Sequence, residues 1–250
     1  MPVTVGVSLK MYFGHAEATA WFDVVAERVR AHEAVASGAV RFFVIPTFLQ
    51  IPAAIAAFAE TPILVGAQDV ATHDAGAFTG EVSPSELAEI GASLAEIGHA
   101  ERRAMFGETD DVVAEKVAAA LRNGLTPVLC VGETERMDPA DAARETLAQL
   151  ARSLGDAEGT VIVAYEPVWA IGAPEPAPPA HIRTVCRALR EALGRRRSDD
   201  TVIYGGSAGP GLLDALDGDA DGLFLGRLAH DPDRLTAVLD EAAALAETRS

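Results

Sequence analysis

Polar residues fall directly after short apolar runs at several points in this sequence, and their types suit proton transfer on an anionic molecule. Ser8-Leu9-Lys10 follows the first run, and Gly98-His99-Ala100-Glu101-Arg102-Arg103 follows the fourth. Glu166-Pro167-Val168-Trp169-Ala170-Ile171-Gly172 extends the sixth, Gly205-Gly206-Ser207 the seventh and Gly226-Arg227 the eighth. A carboxylate facing an imidazole can move a proton beside a carbonyl. Free backbone N–H groups at glycine-rich turns bind phosphate. A lysine supplies the positive potential that a negatively charged ligand needs, here in a chain of net charge −17.

Each residue alone has an ordinary reading. A lysine after a strand commonly sits in solvent at a rim, but this chain has only two lysines, Lys10 and Lys116, among 20 Lys and Arg residues. His99 alone reads as a hydrogen-bonded structural histidine, Glu166 as a turn cap before Pro167, and Gly-Gly as a plain turn. Their joint placement after apolar runs is what points to a site. The other histidines (His15, His32, His73, His181 and His230) show no ligand spacing with cysteine or acidic residues, so no metal site is expected. A non-catalytic phosphate-binding barrel would tolerate loss of Glu166 or His99, yet both are present. A Schiff-base aldolase needs a desolvated lysine within the strands. Lys10, before the first helix, is the one candidate for that.

The elements that must position these residues are legible. Strands are expected at Val3–Val7, Val40–Ile45, Ile63–Val65, Ser93–Ile97, Pro127–Val131, Val161–Tyr165, Val202–Tyr204 and Gly222–Leu225. These are mostly continuous apolar runs, as in a parallel sheet buried on both faces. Helical patterns lie between them at Ala16–Ala36, Val112–Asn123, Ala140–Ser153, His181–Leu193 and Asp231–Glu247. Asn123-Gly124 stops one helix, and Asp138-Pro139 starts another with an N-cap and a proline at the first position. Eight strands alternating with helices in 250 residues match a single-domain (β/α)8 barrel, whose site lies on the loops after the strands. An open doubly wound sheet is the rival, because periodicity does not report closure. Residues 173–180 carry four prolines and read either as a stiff interdomain linker or as a rim loop. The two strands that follow are too few for a second α/β domain, which favours a loop of the barrel.

Composition excludes other classes. Lys and Arg number 20 against 37 Asp and Glu, which argues against a broad basic face for nucleic acid or an anionic membrane. With 49% hydrophobic and 23% charged residues the chain reads as globular. Cys130 and Cys186 sit in apolar stretches and read as buried thiols of a reducing compartment. The absence of a long apolar segment and of a secretory signal pattern leaves a cytoplasmic location as the expectation.

These motifs resemble the signatures of the triosephosphate isomerase family. The resemblance is carried by Gly98-His99-Ala100-Glu101-Arg102-Arg103, Ala164-Tyr165-Glu166-Pro167-Val168-Trp169-Ala170-Ile171-Gly172 and Tyr204-Gly205-Gly206-Ser207. Gly66-Ala67-Gln68-Asp69, Ala77-Phe78-Thr79-Gly80-Glu81 and Cys130-Val131-Gly132-Glu133-Thr134 add to it, in family order along essentially the whole chain. The resemblance implies a cofactor-free aldose–ketose isomerase of a short phosphorylated sugar, working through an enediol(ate). It implies Glu166 as base, His99 as electrophile, Lys10 as stabiliser of negative charge and Glu101 as a positioning group behind both. It also implies substrate contacts from Ser8, Gly172, Gly205, Gly206, Ser207, Gly226 and Arg227, and a lid over about residues 169–180. A homodimer follows by the same route, with the loop from Gln68 to Glu81 bringing Phe78 and Thr79 to the partner.

The sequence also departs from the family pattern. Ser8 and Leu9 stand where Asn and Trp are usual, so a shorter hydroxyl replaces an amide. Ala100 stands where Ser is usual, and Ala173-Pro174-Glu175-Pro176 replaces a Thr-Gly-Lys-Thr-like hinge, limiting φ and removing N–H donors. Arg227 replaces a second glycine after the eighth strand. Such changes resemble the tetrulose-phosphate isomerases of the family, which act on erythrulose phosphates, with ordinary triose phosphate as the alternative. Arg227 either pairs with Asp221 or Asp231 in solvent or reaches the ligand from the rim.

Overall fold

The computed structural model describes residues 2–197 and 199–249. Eight parallel strands close into a barrel in sequence order: β1 (Val3–Ser8), β2 (Val40–Ile45), β3 (Leu64–Ala67), β4 (Leu94–Ile97), β5 (Thr126–Val131), β6 (Ile162–Tyr165), β7 (Thr201–Tyr204) and β8 (Gly222–Leu225). Closure is made by β1 pairing with β8, Val7 opposite Leu225, which excludes the open doubly wound sheet. The helices outside are α1 (His15–Arg30), α2 (Glu33–Ala36), α3 (Ile51–Phe58), α4 (Pro84–Glu89), α5 (Ala100–Phe106), α6 (Asp110–Arg122), α7 (Pro139–Leu154), α8 (Pro179–Gly194), α9 (Leu212–Leu216) and α10 (Pro232–Thr248).

The strands read as unbroken apolar runs because both of their faces are dry. Along β1, Val3, Val5 and Val7 pack under the helices, so the two-residue period turns Thr4, Gly6 and Ser8 inward. A separate core of Phe43, Ile45, Leu94, Val128, Ile162 and Phe224 fills the barrel interior. A Cβ on Gly6 would lie 2.1 Å from the Phe43 ring, so a bare backbone there lets Phe43 reach across the axis. Such a filled barrel leaves chemistry to its carboxyl end.

The expected stops and starts are in place: Asn123 ends α6 with Gly124 at φ +77°, and Asp138 caps α7 ahead of Pro139. The expected helix Ala16–Ala36 is instead two. His32 is extended, and the N–H groups of Ala31 and His32 bond back to the carbonyls of Arg28 and Val29, tightening the last turn of α1. No glycine or proline marks this break. Helices α3, α4, α5 and α9 are additions to the pattern read from the sequence. The proline-rich segment belongs to the barrel, since Pro178 is the N-cap of α8 and Pro179 its first residue.

Candidate active site

The carboxyl end of the barrel opens into a cavity of about 510 Å³. Ser8, Lys10, His99, Glu101, Glu166, Gly172, Gly206, Ser207, Gly226 and Arg227 line it. Gly205 lies beneath it, where a Cβ would stand 2.5 Å from Glu166 Oε1. The N–H of Gly205 donates to the Tyr165 carbonyl. Phe78 and Thr79 lie outside the cavity, on the exposed loop between β3 and α4.

His99 is the N-cap of α5, and its Nδ1 accepts from the backbone N–H of Glu101 at 3.1 Å. Nδ1 therefore carries no proton, and the neutral ring presents Nε2–H to the cavity. Glu166 Oε2 lies 3.6 Å from that nitrogen. Both atoms are buried, and among the described residues neither has a hydrogen-bond partner. Glu166 is fixed from below by its own N–H, which donates to the Val131 carbonyl. Ala100 contributes to an apolar cavity of about 300 Å³ on the other side of Glu166, shared with Cys130 and Gln149.

Lys10 takes a left-handed backbone, φ +48°, uncommon for a side chain of its size and typical of functional sites. Gln68 holds that conformation by donating to the Lys10 and Ile45 carbonyls. The ammonium donates to Glu101 Oε1 at 2.7 Å. Burial works against its charge, but Glu101, Glu166 and Glu96 outweigh it and raise the pKa, so Lys10 stays cationic. Burial likewise disfavours the charge of Glu101, yet Lys10 and His99 hold that carboxyl below its ordinary range. Lys116, by contrast, is a structural cation. It lies buried between Asp69 and Glu108, with Arg102 on both, and ties the loop after β3 to the chain around α5.

Opposite His99 is a set of backbone donors. Among the described residues, no protein acceptor takes the N–H groups of Gly172, Ser207, Gly226 or Arg227. Ser207, at φ +58° after Gly206 at φ +96°, turns the chain so that such groups converge. The loop after β6 is seated on this turn: Ser207 Oγ donates to the carbonyls of Ala170 and Ala173, and the Ala177 N–H donates to Tyr204 Oη. At its base, buried Glu133 accepts from Tyr165 Oη and Trp169 Nε1, and its carboxylate meets His181 Nε2 at 2.9 Å.

Three lining residues, Arg234, Tyr12 and Glu96, escaped the sequence reading. Arg234, at the start of α10, adds a second guanidinium beside Arg227. Arg227 itself lies 5.6 Å over the Tyr12 ring; Asp231 instead caps α10, and Asp221 meets Arg190. Glu96, inside β4, is the third. It is buried at the cavity floor, where Ser8 Oγ donates to its Oε2 at 2.8 Å. Burial pushes its carboxyl up to about 7, with Glu166 adding to the rise while His99, Ser8 and Lys10 oppose it. A charged residue in the middle of a four-residue strand with dry faces was the available signal.

Residues 3–242 match the family model of triosephosphate isomerase. The chain is 50% identical over 250 residues to L-erythrulose-1-phosphate isomerase of Pectobacterium atrosepticum, covering 97% of this chain and 96% of that protein. It is 39% identical to L-erythrulose-1-phosphate isomerase of Rhizobium etli, covering 100% and 96%. Against triosephosphate isomerase of Thermus thermophilus it is 41% identical, over 83% and 85%. The chain belongs to the triosephosphate isomerase family, as an enzyme that isomerises a small phosphosugar.

Proposed function

We propose that this enzyme moves the carbonyl of erythrulose 1-phosphate by one carbon, with Glu166 as base and His99 as electrophile. The observation that carries the chemistry is the pair of unpartnered buried atoms, Glu166 Oε2 and His99 Nε2, 3.6 Å apart. A Glu base opposite a neutral imidazole at a helix N-terminus is the known arrangement of triosephosphate isomerases. Glu166 takes the proton from the carbon beside the carbonyl, and His99 Nε2–H donates to the oxygen that becomes negative. Lys10 balances the charge of the enediolate, and Glu101 fixes the positions of both Lys10 and His99. Glu166 then returns the proton to the neighbouring carbon, giving the isomeric ketose phosphate. The N–H groups of Gly172, Ser207, Gly226 and Arg227 bind the phosphate, and no cofactor takes part.

Relatives bearing the erythrulose-phosphate name, matched across nearly the whole of both chains, support a tetrulose substrate. Triose phosphate is the second reading, favoured by relatives such as that of Thermus thermophilus. Assays with L-erythrulose 1-phosphate and dihydroxyacetone phosphate side by side separate them. The tetrulose phosphate should give the higher kcat/KM, and a higher value on dihydroxyacetone phosphate would reverse the assignment.

The same reading makes the enzyme a homodimer. Met11 and Leu49 are 90% and 88% exposed near the cavity end of the barrel, and Phe78 is exposed on its projecting loop. Covering such side chains is a common basis of association.

A further inference from the structure

Glu96 has no part in the proton transfer described above, yet it is a buried carboxyl opening onto the same cavity. Among the described residues, its one side-chain hydrogen bond is from Ser8. A carboxyl with a single bond has further lone pairs to satisfy, and an ordinary barrel interior would fill that position with carbon. Its neighbours within the barrel are Leu94 below it on β4 and Val128 opposite it on β5, both apolar, while His99, Glu166 and Lys10 face it from the cavity side. A carboxyl in such surroundings stands only where hydrogen bonds compensate its burial.

The strand order says which part of a ligand reaches it. The proposed phosphate donors lie on the loops after β6, β7 and β8, whereas Glu96 is on β4, across the barrel, three residues before His99. A chain of carbons anchored at its phosphate, with its carbonyl at His99, points its far end toward β4 and β1. A tetrulose phosphate differs from dihydroxyacetone phosphate at that end: the reacting carbon carries one additional hydroxymethyl group, on the side away from the phosphate.

We infer that Ser8 and Glu96 form the receptor for this hydroxymethyl group and so select a four-carbon over a three-carbon ketose phosphate. The inference rests on the tetrulose reading of the preceding section. Ser8 is suited to the role because its short side chain leaves room above it. The Ser8 hydroxyl orients the Glu96 carboxyl, whose remaining lone pairs accept from the ligand hydroxyl. Sites built to bind a hydroxyl discriminate against the analogue lacking it, because their polar groups are then left unpaired.

The test is the ratio of kcat/KM on L-erythrulose 1-phosphate to kcat/KM on dihydroxyacetone phosphate, in wild type, Glu96→Leu, Glu96→Gln and Ser8→Ala. Glu96→Leu should lower the ratio roughly 10- to 100-fold, and Ser8→Ala about 3- to 10-fold. Glu96→Gln keeps an acceptor and should hold the ratio within about fivefold of wild type. If Glu96 instead acts by its charge on His99, Lys10 and Glu166, Gln and Leu will depress both substrates alike and leave the ratio unmoved, which overturns the receptor. Ser8→Ala, a one-atom truncation, decides the question if Glu96→Leu does not fold. A wild type that prefers dihydroxyacetone phosphate overturns the tetrulose reading, and the receptor with it. A wild type that prefers the tetrulose phosphate, with unmoved ratios in the variants, overturns the receptor alone.

Discussion

Glu166 Oε2 faces His99 Nε2 across 3.6 Å, while the other nitrogen of the same imidazole is occupied by the N–H of Glu101. One helix N-terminus thus fixes the tautomer, and the tautomer fixes which partner each group can serve. Glu166 is left to accept a proton and His99 to donate a hydrogen bond. Replacing the base tests that division. Glu166→Gln is nearly isosteric, so folding and phosphate affinity should persist while kcat falls roughly 10²- to 10⁴-fold. Steady-state kinetics beside a thermal melt check this, and retention of more than about a tenth of kcat would remove Glu166 from the role of base.

Arg227 lies at the cavity rim over Tyr12 and has no carboxylate partner among the described residues. A charge-assisted hydrogen bond to phosphate is worth about 1.5–3 kcal/mol. Arg227→Ala should therefore lower kcat/KM by roughly 10- to 150-fold with little change in melting temperature. Arg234, beside it, should show a weaker effect in the same direction. Kinetics on both variants check the pair, and an unchanged kcat/KM for Arg227→Ala would assign that side chain to the Tyr12 stack alone.

Glu96 couples stability to pH. Its carboxyl titrates near about 7 in the folded chain, against an ordinary value of 4.5, because burial disfavours the anion. The folded state then holds a proton that the unfolded state has lost between those two values. The contribution is fully present below the lower value, declines as pH rises through the interval, and is gone above the upper one. The cost reaches about 3 kcal/mol at most. His99, Lys10 and Glu166 face the same carboxyl, so Glu96→Gln isolates its share. That variant should gain stability relative to wild type between about pH 5 and about pH 8, as read by urea unfolding at fixed protein concentration. A difference independent of pH would mean that Glu96 is ionised throughout.

Glu133 has no exposed surface and accepts from Tyr165 and Trp169 with His181 alongside. Glu133→Ala would remove the acceptor of Trp169 Nε1 and leave buried Tyr165 Oη and His181 Nε2 only each other, 3.0 Å apart, beneath the loop after β6. A loss of about 3–5 kcal/mol is expected, larger than for a surface carboxylate. Chemical unfolding measures it, and a loss below about 1 kcal/mol would show that water replaces the carboxylate.

The homodimer proposed above rests on the loop between β3 and α4, where the Phe78 ring stacks on His73 at 4.1 Å and remains exposed. Phe78→Asp should convert the enzyme to monomers, because a carboxylate at that loop position opposes burial against a second chain. Light scattering checks this. A wild type that scatters as a monomer in dilute solution would contradict the assembly.

The barrel was legible because its strands are dry on both faces, which turns each into a continuous apolar run such as Val40–Ile45. The short helices were harder. Helix α5 has seven residues, none of them buried, and so carries no apolar stripe. The break between α1 and α2 depends on two backbone hydrogen bonds at Ala31 and His32, which no residue type announces. Of the site, Lys10, His99 and Glu166 were legible from their places after strands. Glu96 was hidden by its place inside one, since an expected run of Ser93–Ile97 is read for hydrophobicity and its single carboxylate is averaged away. Arg234 was hidden for a different reason: only the closure of β8 against β1 brings the start of α10 to the cavity mouth.

The central claim, that Glu166 moves a carbon-bound proton on a tetrulose phosphate, is tested most directly by proton NMR of L-erythrulose 1-phosphate incubated with the enzyme in D₂O. The account predicts that the carbonyl migrates by one carbon and that deuterium enters at the new carbinol carbon, both with wild type and neither with Glu166→Gln. Deuterium entering dihydroxyacetone phosphate while L-erythrulose 1-phosphate stays unlabelled and unconverted would contradict it.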